Sequence, residues 1–225
     1  SAGNEIRDTT KSDLARSILG ELVEIFHRYD PTRPVTQGLF RPNVSHDYDN
    51  GLADQLDVVG TNYRDLELLA AWAAKPTRKI VGTEQRHDLT TWLAARDHRQ
   101  HAGQFLWSGI DYLGESPVWP IVAAGSGLLD RTGAVKPMAY ERQSWWSDRP
   151  VLRVVRRVSP ANAILADPGF APLIARQSQF EDWTPADPGP HEETVEAYSN
   201  CEEVELLLNG QSLGRKPKDP DDSPR

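Results

Sequence analysis

Strand-like and helix-like segments alternate along the chain as far as Trp146, and this alternation decides the fold class. Short apolar segments with the length of buried strands are separated by helical patterns and turns of a few residues. Such alternation gives parallel strands joined by right-handed crossovers, which predicts an α/β fold. By itself, the pattern fits both a barrel and a doubly wound open sheet. The predicted strands cover residues 1–6, 33–38, 56–63, 79–85 and 103–110.

The helical patterns lie between and after these strands. The first begins at Ser12 or Asp13 and runs to about Tyr29, where Asp30-Pro31 ends it. Its apolar side chains recur at three- and four-residue spacing and predict a buried stripe made of Leu14, Ile18, Leu22, Ile25 and Phe26. The polar residues 41–54 are predicted to form a loop. Further helices are predicted at residues 65–74, 89–101 and 137–146.

Two carboxylates stand close to the carboxyl ends of predicted strands. Glu84 is near the end of the strand 79–85, and Glu5 is near the end of the strand 1–6. Barrel enzymes place their chemistry at this end of the strands, and glycosidases use a pair of acids in such an arrangement. The simpler alternative is that each glutamate is an ordinary exposed residue of a loop.

Composition narrows the classes of partner. The net charge of −8 argues against a broad nucleic-acid surface and is compatible with a neutral substrate such as a sugar. No apolar run approaches the roughly 20 residues needed to cross a bilayer, and no leader sequence is visible. Cys201 is the only cysteine, so the sequence predicts no internal disulfide.

The sequence shows no requirement for a cofactor and no metal site. Four of the histidines have a spacing that is not consistent with a metal site. His98 and His101 are three residues apart on a predicted helix, but no third ligand is evident. All four are therefore predicted to be surface residues: His46, His87, His98 and His101.

After Pro150 the sequence changes to a β pattern. Residues 151–158 mix apolar and basic side chains, as a strand with one solvated face does, whereas residues 159–192 lack a clear period. Residues 194–199 and 203–208 alternate as strands. Asn209-Gly210 then gives a strong hairpin signal before a return strand. This pattern predicts part of an antiparallel β-sandwich.

Five segments stand in order along the chain: Gly3-Asn4-Glu5, Gly82-Thr83-Glu84, residues 103–115, parts of residues 126–146, and residues 198–214. Together they resemble glycoside hydrolase family 2 and specifically its β-galactosidase branch. The resemblance implies that residues 1–149 are the C-terminal half of a TIM (β/α)8 barrel, with strands four to eight. It implies that residues 150–225 are a partial immunoglobulin-like β-sandwich domain. The chain is accordingly expected to be an internal fragment of a longer polypeptide.

The resemblance also implies catalytic roles. Glu84 would be the nucleophile of a retaining reaction, and Glu5 would be its acid/base. Asn4 would hydrogen-bond the sugar 2-hydroxyl, although an asparagine here could equally belong to a turn. Tyr63, at the end of the preceding strand, would donate its hydroxyl to the nucleophile, or would simply pack at the rim.

Three more residues are assigned to substrate binding by the same resemblance. Trp107 would form the floor under the sugar, and the alternative is a tryptophan of the barrel core. Asp111 and Glu115 would bind galactose hydroxyls, or would face solvent.

The implied activity is hydrolysis of terminal β-D-galactosides through a covalent glycosyl-enzyme intermediate, with a glycoside or oligosaccharide as partner. The fragment alone is expected to be inactive. β-Glucuronidase or β-mannosidase activity is the near alternative, but the sequence shows no obvious cluster of cations for a uronate. A non-catalytic carbohydrate-binding homologue is the distant alternative, and the presence of both Glu5 and Glu84 argues against it.

Overall fold

The computed structural model describes residues 12–115, 119–120, 122–157, 179–183, 189–190 and 194–218. The chain divides into two compact units after Trp107. Asn4, Glu5 and the predicted strand 1–6 lie outside the described residues, as does most of the segment 159–192. The predicted domain boundary between residues 149 and 150 stays a prediction.

The first unit is built around a four-stranded parallel sheet. Its elements are α1 Ser12–Tyr29, β1 Thr36–Leu39, α2 Pro42–Ser45, β2 Val58–Asn62, α3 Asp65–Ala74, β3 Ile80–Gln85, α4 Leu89–Arg96 and β4 His101–Leu106. The strands are neighbours in the order β1-β2-β3-β4, which is also their order along the chain, and every pair is parallel. The parallel α/β arrangement is therefore confirmed for the described strands.

One hydrophobic cluster joins this sheet to its helices. Leu39, Val59 and Ile80 are buried in it and come from β1, β2 and β3, so these short apolar segments form strands because their side chains are covered. The sheet that carries Glu84 is thus anchored to α1 and α3 by apolar packing. The buried members are Leu19, Val23, Leu39, Leu52, Ala53, Leu56, Val59, Leu68 and Ile80.

Helix α1 has the predicted bounds but buries a different face. Leu19 and Val23 reach the hydrophobic cluster. The helix carries two apolar stripes offset around its axis, and the packing of the chain decides which one is covered. The predicted buried stripe is wrong, since its side chains are 40–57% exposed: Leu14, Ile18, Leu22, Ile25 and Phe26.

His101 is buried, which corrects its prediction as a surface residue. The predicted helix 89–101 ends at Arg96, and strand β4 begins at His101. The imidazole Nδ1 lies 3.3 Å from the backbone N–H of Gly103, which donates to it, so Nε2 carries the proton and donates to Asp65 Oδ1 at 3.0 Å. The hydrogen bond to Asp65, which is distant in sequence, explains why the polar imidazole ring is stable in the protein interior.

Three other segments also differ from the predictions. The strand predicted at 103–110 is displaced towards its amino end, to His101–Leu106. The stretch 41–54, predicted as a loop, contains α2 and the start of a short 3-10 helix at Ala53–Gln55. Pro42 is the first residue of α2, where a backbone N–H would have no partner within the helix, so its absence in proline costs nothing. Pro42 is also buried. The strand predicted at 33–38 is displaced towards its carboxyl end, to Thr36–Leu39.

Within the described ranges, no helix combines the length and apolarity needed to cross a bilayer.

In its described residues, the second unit combines a ten-residue helix with short antiparallel sheets. Its elements are β5 Tyr112–Leu113, β6 Ala123–Ala124, α5 Pro137–Trp146, β7 Leu152–Arg157, β8 Gln179–Phe180, β9 Thr194–Ser199, β10 Glu203–Leu208 and β11 Gln211–Pro217. β5 pairs with β6, and β7 lies between β8 and β9. The antiparallel strands and the bounds of α5, β9 and β10 are confirmed.

The predicted hairpin joins β10 and β11. Asn209 has φ 51° and Gly210 has φ 81°, so both central residues occupy the left-handed region that a two-residue type I′ turn requires. The strands are antiparallel, with a register shift between Leu206 and Leu207. Asparagine and glycine tolerate this conformation best, so the local sequence dictates the turn.

Candidate active site

Strand β3 delivers Glu84 through a bulge. Thr61 of β2 pairs with Gly82, whereas the next residue, Asn62, pairs with Glu84, so Thr83 is an extra residue in β3. A bulge of this kind re-aims side chains and is common beside active sites. Glu84 is half-buried at the carboxyl end of the strand, as its position in the sequence predicts.

Asn62 holds the carboxylate of Glu84. Its Nδ2 donates to Glu84 Oε2 at 3.0 Å. Its Oδ1 accepts a hydrogen bond of 2.8 Å from the hydroxyl of Thr83. Asn62 is only 2% exposed, so both amide contacts are made in a closely packed setting. The carboxylate therefore has a donor on the neighbouring strand that is itself fixed by a third residue.

Two glycines make room for this arrangement. A Cβ at Gly38 would lie 2.6 Å from Asn62 Oδ1 and 3.2 Å from Thr83 Oγ1. A Cβ at Gly60 would lie 2.5 Å from Thr83 Cγ2 and 2.6 Å from a backbone carbonyl oxygen. Gly38 and Gly60 are register partners on β1 and β2. The strands can thus carry Asn62 and Thr83 only because both positions lack a side chain.

Tyr63 contacts Glu84 through its backbone. Its N–H donates to the carbonyl oxygen of Glu84 at 2.7 Å, and its φ of 60° places it in the left-handed region just after β2. A non-glycine residue in this region often marks a functional position. The guanidinium of Arg86 lies 5.9 Å from the centre of the Tyr63 ring. Donation from the Tyr63 hydroxyl to the nucleophile stays a prediction.

Trp107 follows β4, next to the strand that carries Glu84. Its backbone N–H donates to the carbonyl of Gln85 at 2.9 Å, which continues the sheet pairing by one residue. The residue is 37% exposed, so part of the indole is open to solvent. An accessible ring at a strand end could stack on a sugar. The sheet thereby brings Tyr63, Glu84 and Trp107 to neighbouring strand ends.

Asp111 lies in the second unit, in an ion pair. Lys136 Nζ donates to its two carboxylate oxygens at 2.9 and 3.1 Å, and the N–H of Gly127 donates at 2.7 Å. Lys136 also donates to the carbonyl of Gly125 at 2.9 Å. The side chains of Asp111 and Lys136 are 14% and 9% exposed. Neighbouring groups thus already donate several hydrogen bonds to the Asp111 carboxylate. Its contact with galactose stays a prediction.

Glu115 also belongs to the second unit. It is exposed, has φ 48°, and accepts a hydrogen bond from the hydroxyl of Tyr112. Its predicted role in binding a sugar hydroxyl stays a prediction.

Three arginines follow successive strands of the parallel sheet. Arg41 comes soon after β1, Arg64 after β2 and Arg86 directly after β3. The guanidinium carbons of Arg41 and Arg64 lie 5.1 and 5.3 Å from the centre of one ring, that of Phe40. Arg64 also approaches Glu67 at 3.5 Å. Cations are therefore concentrated at the edge of the sheet where Glu84 emerges, stacked on aromatic rings.

Comparison with known proteins places these features in a family. A crystal structure of a glycosyl hydrolase family 2 member from Bacteroides cellulosilyticus matches with a TM-score of 0.82 and 30% identity. The match covers 98% of this chain and 30% of that one. The chain belongs to glycoside hydrolase family 2. In addition, residues 192–225 match a family described as Domain of unknown function (DUF4982).

Named relatives of this family 2 chain differ in specificity. Beta-galactosidase BoGH2A of Bacteroides ovatus is 27% identical over 89% of the chain and 26% of its own length. A protein of Formosa agariphila, provisionally named a beta-glucuronidase, is 29% identical over 55% of the chain and 10% of its own length. The chain thus spans less than a third of each relative described here.

Sequence reasoning missed two features of this family 2 chain. No sequence pattern distinguishes Asn62 from an ordinary polar residue at the end of a strand, and only the adjacent Tyr63 is predicted to act on the nucleophile. The contact of Asn62 with Glu84 depends on strand register and on the bulge, which no local pattern reveals. The arginines were missed because they are far apart in sequence, although an arginine after each of three strands was a usable signal.

Among the described residues, no group of three or more His, Cys, Asp or Glu side chains could hold a metal ion.

Proposed function

We propose that this chain carries the nucleophile of a retaining glycoside hydrolase that cleaves terminal β-D-galactosides. The observation that carries the proposal is the half-buried carboxylate of Glu84, which the bulge and Asn62 fix at the carboxyl end of β3. A carboxylate held in one orientation on a rigid strand suits attack on an anomeric carbon. The 27% identity to a protein named a beta-galactosidase supports the galactoside as substrate.

The reaction takes place in two displacements. Glu84 attacks the anomeric carbon from the face opposite the leaving group, while Glu5 gives its proton to the glycosidic oxygen and the bond to the aglycone breaks. Glu5 then takes a proton from water, whose oxygen attacks the anomeric carbon and expels Glu84. Two inversions leave the β configuration of the product unchanged. We expect the two carboxyl groups to lie roughly 5–5.5 Å apart, as retention requires.

The barrel is part of the same proposal. The described parallel strands occur in the sheet in the order of the chain, which is the order around a (β/α)8 barrel. A doubly wound sheet reverses direction at a switch point, and the order β1-β2-β3-β4 contains no such reversal. We therefore assign these strands to the second half of a barrel, followed by an immunoglobulin-like β-sandwich that includes β7 to β11.

The remaining residues take binding roles in this proposal. Asn4 hydrogen-bonds the 2-hydroxyl, and Tyr63 donates to Glu84. Trp107 forms the sugar-binding floor. Asp111 and Glu115 contact galactose hydroxyls. The position of Tyr63 and Trp107 at the ends of β2 and β4, on either side of β3, supports the roles of these two residues.

A uronic acid substrate is the second candidate. It is favoured by Arg41, Arg64 and Arg86 at the edge of the sheet, because a uronate needs cationic partners. The similarity to the Formosa agariphila protein supports the same reading. Exchange of Arg41 and Arg86 for Gln should abolish turnover of an aryl β-glucuronide if this candidate holds. It should leave turnover of an aryl β-galactoside nearly unchanged if galactose is the substrate.

A trapping experiment tests the assignment of the nucleophile. The full-length polypeptide that carries this chain is treated with an aryl 2-deoxy-2-fluoro-β-galactoside that has an activated leaving group. Attack by Glu84 releases the phenol, and the fluorine slows hydrolysis of the resulting ester. We expect mass spectrometry to find the fluorogalactosyl group on the peptide that contains Glu84. A label on another carboxylate would refute the assignment. The corresponding fluoroglucuronide, used in parallel, decides between the two substrates.

A further inference from the structure

We infer that Asn62 and Thr83 are positioning residues, which together hold the Glu84 carboxylate ready for attack. The inference rests on the proposed role of Glu84 as nucleophile. It assigns a task to two buried polar side chains on neighbouring strands, β2 and β3. Thr83 has no role in the reaction as proposed above, and Asn62 enters it only as the donor that holds Glu84 in place.

The hydrogen bonds fix which way the Asn62 amide points. An ionised carboxylate can only accept, so the amide nitrogen must face Glu84 Oε2 at 3.0 Å. The amide oxygen then faces the Thr83 hydroxyl at 2.8 Å and needs a donor there. A threonine hydroxyl can supply this proton, whereas a valine of the same shape cannot. Thr83 therefore selects the amide orientation that supports the nucleophile.

The bulge explains how two successive residues reach one asparagine. In a regular strand, Thr83 and Glu84 would point to opposite faces of the sheet. Because Thr83 is the extra residue opposite Asn62, both side chains approach the same amide. The irregularity in β3 thus allows two successive hydrogen bonds, from Thr83 to Asn62 and from Asn62 to Glu84.

These two hydrogen bonds leave one oxygen of the Glu84 carboxylate for the reaction. Asn62 engages Oε2, and within the described part of the chain no hydrogen bond to Oε1 is formed. An amide donor to one oxygen restricts rotation of the carboxylate and holds its rotamer. The second oxygen stays accessible to form the bond to the anomeric carbon. Loss of this support would cost transition-state stabilisation rather than binding of the intact substrate.

Thr83→Val and Thr83→Ser test the inference in the full-length polypeptide. Valine keeps the shape of threonine and removes the hydroxyl, and serine keeps the hydroxyl. We expect Thr83→Val to lower kcat/KM by on the order of tenfold or more, with unchanged affinity for a competitive galactose-type inhibitor. Thr83→Ser should recover most of this loss.

Thr61→Val is the matched control. Thr61 is also a buried threonine, it lies next to Asn62 in β2, and its hydroxyl bonds to Tyr48 at 2.7 Å. We expect its kcat/KM to stay within about twofold of the wild type. Equal losses in Thr61→Val and Thr83→Val would overturn the inference, because a general packing effect would then explain both.

Asn62→Asp provides a readout that a structural role would not move. A second carboxylate against Glu84 disfavours its ionised form, so the acidic limb of the kcat/KM profile should shift to higher pH. An unshifted acidic limb in a folded variant would overturn the inference.

The trapping experiment distinguishes a failure of the positioning role from a failure of the proposed function. A label on Glu84 with no effect of Thr83→Val refutes only the positioning role, whereas a label elsewhere refutes the proposed function.

Discussion

The hydroxyl groups of Tyr48 and Thr61 lie 2.7 Å apart, and Thr61 immediately precedes Asn62 in β2. Burial raises the pKa of Tyr48 to about 12, an effect only partly offset by the hydrogen bond to Thr61. The phenol therefore stays protonated well above the pH at which a free tyrosine ionises.

This pair predicts a loss of stability at high pH. The unfolded state releases the Tyr48 proton near its ordinary pKa of 10.0, and the folded state retains it to about 12. The contribution is fully present below pH 10 and is lost as the pH rises through this window, up to about 2–3 kcal/mol. Urea unfolding at about pH 9 and about pH 11.5 measures the loss. Tyr48→Phe should reduce it, and Tyr29→Phe, a change at an exposed position, should not.

The ion pair in the second unit predicts a large asymmetry between single and double substitutions. Lys136→Met should destabilise the unit by about 3–5 kcal/mol, because it leaves the carboxylate of Asp111 buried without its cation. Adding Asp111→Asn should recover part of this loss. Arg215→Met breaks an exposed pair with Glu203 and should cost less than about 1 kcal/mol. Denaturant melts of the full-length polypeptide compare the variants, and equal effects at both pairs would contradict the prediction.

The proposed roles of Glu5 and Glu84 predict opposite products with azide. Glu84→Ala should abolish hydrolysis, because no covalent intermediate can form. Glu5→Ala should impair poor leaving groups far more than activated aryl ones. Azide should rescue Glu5→Ala by attacking the intermediate, which gives a β-galactosyl azide. With Glu84→Ala it can attack only the substrate, which gives the α-azide. Product analysis by NMR reads the configuration, and the reverse outcome would exchange the two roles.

The chain by itself should show no measurable turnover. It spans 26% of Beta-galactosidase BoGH2A and 30% of the matched Bacteroides cellulosilyticus structure, so most of such an enzyme would be missing. Among the described strands, β1 and β4 each have a partner on one side only, which leaves backbone groups unpaired. The assay is hydrolysis of an aryl β-galactoside by the purified chain, with the full-length polypeptide as positive control. Turnover by the chain alone would contradict the half-barrel proposal.

Periodicity predicted most of the architecture. The bounds of α3, α5, β9 and β10 match because each segment has a local pattern and clear end signals. The turn at Asn209-Gly210 was predictable for the same reason, since its backbone conformation depends on two adjacent residues.

The errors arose where partners distant in sequence decide the outcome. The covered face of α1 depends on the cluster that Leu19 and Val23 enter, and the helix itself offers a second apolar stripe. Burial of His101 depends on Asp65, which lies 36 positions earlier in the chain. Likewise, the support of Glu84 by Asn62 depends on the register of β2 against β3.

Gly38 and Gly60 restrict how the surroundings of Glu84 can change by mutation. Every codon change that replaces a glycine introduces a Cβ, and at these positions that atom would come within 2.6 Å of Asn62 Oδ1 or 2.5 Å of Thr83 Cγ2. Even alanine, the smallest replacement, introduces this atom, so no single substitution at either glycine avoids the close contact. Variation that retunes this carboxylate, in nature or in a directed library, is therefore expected at Asn62, Thr83 or Tyr63, while the two glycines stay unchanged.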